Sequence, residues 1–180
     1  LDFLVNPSVL IPRPETELLV ERAIAWLSKL HPGSMEFKGI DVGTGCGCIA
    51  ISIAFNIPGF HILATDISSG ALNVARRNAR KLIPSNPITF LEADLFTGLA
   101  ISDRFSMIAA NPPYIPTPTL HHIPVYGREP TLALDGGPDG MEVIRRILQE
   151  APKRLLPGGL LLMEIEASQG KAASLLAGDY

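Results

Sequence analysis

Asn111-Pro112-Pro113-Tyr114 joins a side-chain amide, two residues that lack a backbone N–H and an aromatic ring. Proline fixes its own φ and drives the preceding residue out of the helical region, so Asn111 is held extended in a stiff, acceptor-rich loop. Such a loop suits a planar amino group. The Asn111 side-chain oxygen and a backbone carbonyl near Pro112 can each accept one N–H, while Tyr114 packs on the flat face. An amide nitrogen has a delocalised lone pair, so in-line placement against an electrophilic carbon matters more than a strong base. The chemistry this fits is methyl transfer to nitrogen from a sulfonium, the cofactor supplying the carbon and the protein the orientation. The plain structural reading of the same run is a proline-stiffened loop around a buried tyrosine.

A second cluster strengthens the first. In Asp41-Val42-Gly43-Thr44-Gly45-Cys46-Gly47, glycine recurs at alternate positions between an apolar strand and an apolar helix. Missing side chains there let a ligand approach backbone amides at a helix start, which predicts a nucleotide-like ligand. A dinucleotide fingerprint would place its third glycine where Cys48 stands, which argues against hydride transfer. Asp66, after the next strand, is predicted to accept ribose hydroxyls, and Asp94 closes the strand after that. Asp41 lies inside an apolar strand and must meet donors or a cation, such as the ammonium of a methionine moiety. Singly, each of these residues could be a tight turn, a cap or a solvated turn residue. Their order at successive strand ends makes them a site.

The elements that must position these residues alternate. Pro14 and the acidic Glu15 and Glu17 open a predicted helix over 14–30, which Pro32-Gly33-Ser34 breaks. Strand 39–43, helix 49–55 and strand 61–65 follow, then a helix over 70–82 capped by Ser69. Strands are expected at 88–91 and 105–110, an irregular loop over 112–138, a helix over 141–155, and a strand at 160–163 after the Pro157-Gly158-Gly159 turn. The long loop reads as functional. A helix begins at 172–176. The spacing predicts an α/β fold with a parallel sheet and right-handed crossovers. The abrupt ends read as truncation on both sides, which would leave the strand at Leu160 as an exposed apolar edge.

At these residues the chain resembles the protein-(glutamine-N5) methyltransferases that modify the Gly-Gly-Gln loop of class I peptide chain release factors. The resemblance runs from Val9-Leu10-Ile11-Pro12-Arg13-Pro14-Glu15-Thr16-Glu17 through the glycine turn, Thr65-Asp66-Ile67-Ser68, Asp94-Leu95-Phe96 and Asn111 to Ile115. It also takes in Glu129-Pro130, residues 133–140 and Leu156-Pro157-Gly158-Gly159. Asn-Pro-Pro-Tyr alone is shared with adenine-N6 DNA methyltransferases; the segment 13–17 separates the two. The resemblance implies a class I, Rossmann-like fold with a mostly parallel central sheet flanked by helices, and S-adenosyl-L-methionine as cofactor. It implies that Gly43, Thr44, Gly45, Cys46, Gly47, Asp66, Asp94 and Leu95 line the cofactor and that Asn111, Pro112, Pro113 and Tyr114 hold the glutamine amide. Leu95 stands where relatives often carry an aromatic, and Glu164-Ile165-Glu166 where they commonly show Glu-Ile-Gly. Arg13 either orients substrate or pins the loop through a carboxylate. Relatives also carry an N-terminal helical domain that grips the protein substrate. Adenine-N6 methylation and a non-catalytic cofactor-binding module are the rival expectations.

Composition narrows the classes. At 180 residues the chain fits one domain, able to remove roughly 70% of its unfolded surface from water. Net charge is −3, and the largest basic group, residues 76–81, is spread around a helix by the helical period. No strong grip on nucleic acid is predicted from this segment. No apolar run predicts a membrane span. Cys46 and Cys48 are too close for an ordinary bridge and too few for zinc, and His121-His122 reads as loop histidines, so no metal is expected. A reducing compartment follows, the cytoplasm or, in a eukaryote, mitochondria.

Overall fold

Short apolar runs that stop at a glycine turn, a carboxylate or a proline become the strands. The computed structural model describes residues 1–30, 38–85 and 88–178. Within them lie β1 (Lys38–Val42), β2 (His61–Asp66), β3 (Ile88–Glu92), β4 (Phe105–Ala110) and β5 (Leu155–Met163). Helices are α1 (Pro14–Leu27), α2 (Cys48–Asn56), α3 (Ser69–Leu82), α4 (Glu142–Arg154) and α5 (Gly170–Gly178). All strand pairs are parallel, in the order β3-β2-β1-β4-β5. The order reverses beside β1, so a crevice opens at the carboxyl ends of β1 and β4, where such sheets bind ligands.

Alternation along the strands sorts the core into two layers. Met107, Ala109, Leu160 and Leu162 meet the helices α1 to α3, while Ile108, Ala110, Leu161 and Met163 meet Ile147 and Ala151 of α4. Helix α2 lies between α1, α3 and the sheet, which is why it is apolar on every side. Burying Ile51 and Ile53 completely contributes about 1.5–3 kcal/mol each.

Several boundaries shift by a residue or more, and three of the shifts have a visible cause. Helix α1 stops at Leu27, because the Lys29 and Leu30 N–H groups bond back three residues, to Trp26 and Leu27, in a tighter final turn. The cap of α3 is Ser68 and not Ser69: the Ser68 hydroxyl accepts the Ala71 N–H at 3.2 Å, while Asp66 holds the Ser68 amide. Strand β5 starts early, at Leu155, and bulges between the partners of Phe105 and Met107 where Pro157 and Gly158 interrupt the ladder. Pro32-Gly33-Ser34 lie outside the described residues. The long loop folds back on itself: Ile115 and Thr117 donate to the carbonyls of Leu134 and Gly137, and 3₁₀ turns form at Thr117–His122 and Thr131–Ala133. Among the described residues β5 is an edge strand, its leucines half-buried, and no helix is long and apolar enough to cross a membrane.

Candidate functional site

A cavity of about 230 Å3 opens at the carboxyl edge, and Gly43, Gly45, Asp66, Asp94, Leu95, Asn111 and Pro113 all lie on its wall. Gly43 and Gly45 have positive φ, and a Cβ on either would meet nothing within 4 Å. These glycines offer space. Their amides are already used: Gly43 and Thr44 donate to the Thr65 carbonyl, and Gly45 donates to Asp66 Oδ2 at 2.8 Å. The spacing predicts a ligand approaching these amides; the turn instead spends them on holding its own shape and the Asp66 carboxylate.

Asp66 is thereby fixed at both oxygens, since Ser68 N–H donates to Oδ1 at 2.9 Å. Burial raises its pKa, opposed by these backbone donors. Each oxygen keeps a further lone pair for a hydroxyl on the cavity side. Asp41 lies beneath, 1% exposed. Its Oδ2 accepts the Thr44 hydroxyl at 2.6 Å and the Ala50 N–H at 3.1 Å, whereas Oδ1 has no partner. Burial, the largest influence, raises its pKa to about 6. Asp41 is absent from the cavity wall, so that open acceptor lies behind the glycine turn. Hydroxyl acceptors and a glycine cradle together suit a ligand bearing a ribose.

Thr44, Cys46 and Gly47 sit below the wall. The Gly47 N–H closes the turn on the Thr44 carbonyl at 2.8 Å. Cys46 and Cys48 are free thiols, and the hydrogen bond between them lowers the Cys46 pKa and raises that of Cys48.

The loop side draws on distant elements. Asn111 Nδ2 donates to Thr16 Oγ1 at 3.3 Å, and Thr16 donates to Glu164 Oε2 at 2.7 Å. Pro112 is buried. Tyr114 leans on the cluster of Met141, Ile144 and Leu148, away from the cavity wall; burial first, and then the Glu164 charge, raises its phenol pKa. Gln169 Nε2 donates to the carbonyls of Tyr114 at 2.8 Å and Gly140 at 3.1 Å. Glu166 accepts the Gln169 amide in a capping box, so the charge in the Glu164-Ile165-Glu166 run has a structural use. Arg13 pairs with the buried Glu129 at 2.6 Å. Of its two expected roles, pinning the loop has its carboxylate.

Residues 18–121, more than half of the chain, match the methyltransferase small domain family. The chain belongs to that family. It is 47% identical over 178 residues to the release factor glutamine methyltransferase of Moorella thermoacetica, covering 98% of this chain and 61% of that one. It is 40% identical over 173 residues to that of Geobacter sulfurreducens, covering 95% and 58%. The chain thus spans about three fifths of the length of these curated relatives. Among solved structures, the ribosomal protein L11 methylase of Lactobacillus delbrueckii subsp. bulgaricus superposes with a TM-score of 0.65 at 19% identity, over 93% of this chain and 69% of that one. The T. thermophilus 16S rRNA N2 G1207 methyltransferase in complex with AdoMet and guanosine gives 0.59 at 19%, over 85% and 34%. At such identities the likeness is one of fold, and the fold is that of the class I methyltransferases.

Several wall and support residues were not expected from the sequence. Arg146 of α4 reaches Asp94 Oδ2 at 2.7 Å across the cavity mouth, both side chains partly exposed. Asn78, read as part of a basic run, is fully buried: its Oδ1 accepts the Leu4 N–H, and its Nδ2 donates to the carbonyls of Leu4 and Cys46. It ties the first residues of the chain to the glycine turn. Its helical spacing from Ala71, Val74 and Ala75 was the available signal. Leu95 has φ 53, a left-handed conformation rare for leucine that nothing local announces.

Proposed function

We propose that the chain is the catalytic part of an S-adenosyl-L-methionine-dependent enzyme that methylates N5 of the glutamine in the Gly-Gly-Gln loop of a class I release factor. We place it in the cytoplasm or, in a eukaryote, in mitochondria. One observation carries this reading: Asn111 shares a cavity wall with Gly43, Gly45 and Asp66 in a chain 38–47% identical to proteins named release factor glutamine methyltransferase. Those names, with a net charge of −3 that offers little attraction to phosphates, favour it over adenine-N6 methylation.

Gly43, Gly45, Asp66, Asp94 and Leu95 would hold the cofactor, with Asp41, Thr44, Cys46 and Gly47 shaping the turn beneath. When bound, it supplies an electrophilic methyl group. Asp66, immobilised by two amides, takes ribose hydroxyls on its remaining lone pairs. Asn111 Oδ1 and the Pro112 carbonyl accept the two N–H protons of the glutamine amide, which aims its nitrogen and shifts density toward it. Pro113 and Tyr114 keep that backbone rigid, and Arg13 secures the loop through Glu129. The protein incubated with methyl-labelled cofactor and a class I release factor is expected to label the loop glutamine, located by mass spectrometry of the digest. Label on an adenine-containing oligonucleotide alone, or on neither, would overturn the reading.

A further inference from the structure

We infer that Thr16 and Glu164 are positioning residues that decide which end of the Asn111 amide faces the reaction. The inference rests on the amide-methylation reading above, which requires Asn111 to present an acceptor. Thr16 belongs to α1, Asn111 follows β4 and Glu164 follows β5, so three elements converge. Thr16 is 5% exposed, which leaves its hydroxyl little recourse to water. A hydroxyl has one proton, and a carboxylate accepts only. Thr16 gives that proton to Glu164 at 2.7 Å and therefore turns lone pairs toward Asn111. Only the NH2 end of Asn111 can satisfy a lone pair, and Nδ2 stands 3.3 Å from Thr16 Oγ1. Oδ1 is then the end left for a ligand in the cavity that Asn111 lines. With the Thr16 proton released from Glu164, the amide could turn over and set N–H against the N–H of its substrate. The Glu164 carboxylate thus acts two bonds away, through direction and not contact.

The test uses the full chain as Thr16→Val, Glu164→Gln and Thr16→Ser. The first two are expected to lower kcat about 10–100-fold, the cost of misplaced reacting groups, with cofactor KM within about twofold; Thr16→Ser, which keeps the hydroxyl, stays within about threefold of wild type. Independently of turnover, NMR of 15N-asparagine-labelled protein reads hydrogen exchange at the Asn111 side-chain amide. That exchange is expected to quicken about tenfold in Thr16→Val, as expected for loss of a hydrogen bond worth about 1.4 kcal/mol. Equal exchange in wild type and Thr16→Val, or unchanged kcat in both Thr16→Val and Glu164→Gln, would overturn the inference. If wild type forms no N5-methylglutamine, the functional reading fails, and the exchange comparison still decides the amide's orientation.

Discussion

The two walls of the cavity are held by different kinds of contact. Of the bonds that shape the glycine-turn wall, Thr44 to Asp41 spans 3 positions and Ser68 to Asp66 spans 2, each at its own strand end, while Gly45 to Asp66 spans 21 and joins the ends of the adjacent strands β1 and β2. On the loop wall, Arg13 meets Glu129 across 116 positions, Asn111 meets Thr16 across 95, and Gln169 meets Tyr114 across 55. The first wall forms as its sheet forms. The second closes long segments, whose entropy must be offset by a few side chains. Its geometry should therefore be the more easily broken, and the loss should fall on the methyl-accepting side and spare cofactor binding.

The largest effect is expected at Asn111→Ala, which removes the proposed acceptor. Its kcat/KM should fall about 10²–10³-fold, while cofactor affinity by calorimetry stays within about threefold. An equal loss of affinity would move Asn111 to the other wall. Next comes Gln169→Ala. It strands the buried carbonyl of Gly140, at about 1–3 kcal/mol, and the partly buried one of Tyr114, at less, so urea unfolding should show a loss of about 2–4 kcal/mol with cofactor affinity retained. Unchanged stability would mean that the loop wall does not depend on this side chain.

The glycine-turn wall has its own test in Asp41. Its folded pKa is about 6, against the ordinary aspartate value of 3.8. Between those values the folded protein keeps a proton that the unfolded chain has released. Stability of the ligand-free protein is therefore greatest below about pH 3.8 as far as this group is concerned, and declines as pH rises to about 6. The shift corresponds to about 3 kcal/mol at most. Asp41→Asn should flatten that decline and stabilise the ligand-free protein at pH 8 by about 2 kcal/mol, measured by denaturation at several pH values. A slope matching wild type would show that another group titrates. The smallest effect is expected at Leu95→Trp, where an aromatic face on the cavity wall should tighten cofactor binding about 3–10-fold. A weaker complex would show that the left-handed backbone at Leu95 aims its side chain away from the ligand.

Much of the fold was legible. Strand β4 has the bounds its apolar run predicted, and α3 starts one residue early, at Ser69, with Ser68 in place of Ser69 as its cap. The glycines and Asp66 were readable because their chemistry follows from local geometry: a strand must end, a turn must bend, and a carboxylate after it meets the amides beside it. The clamp residues were visible as types, since proline stiffens whatever fold it lies in. Pattern stopped being informative at Gln169, Arg146 and the Thr16–Glu164 pair, which lie in runs with ordinary helix, turn or strand-end character.

By itself, then, the sequence determined the alternation of strands and helices, the crevice at their carboxyl ends, and the residue types able to hold a ribose and a planar amide. Periodicity and turn chemistry act over a few residues, and those features need no more. Tertiary structure alone decided that the glycine amides are spent inside the turn, that Arg13 answers Glu129, and that Asn111 is backed by Thr16 and Glu164. Each is a hydrogen bond between a donor and an acceptor brought together by the sheet, and one polar group can choose its partner only after the fold has set which others are within about 3 Å.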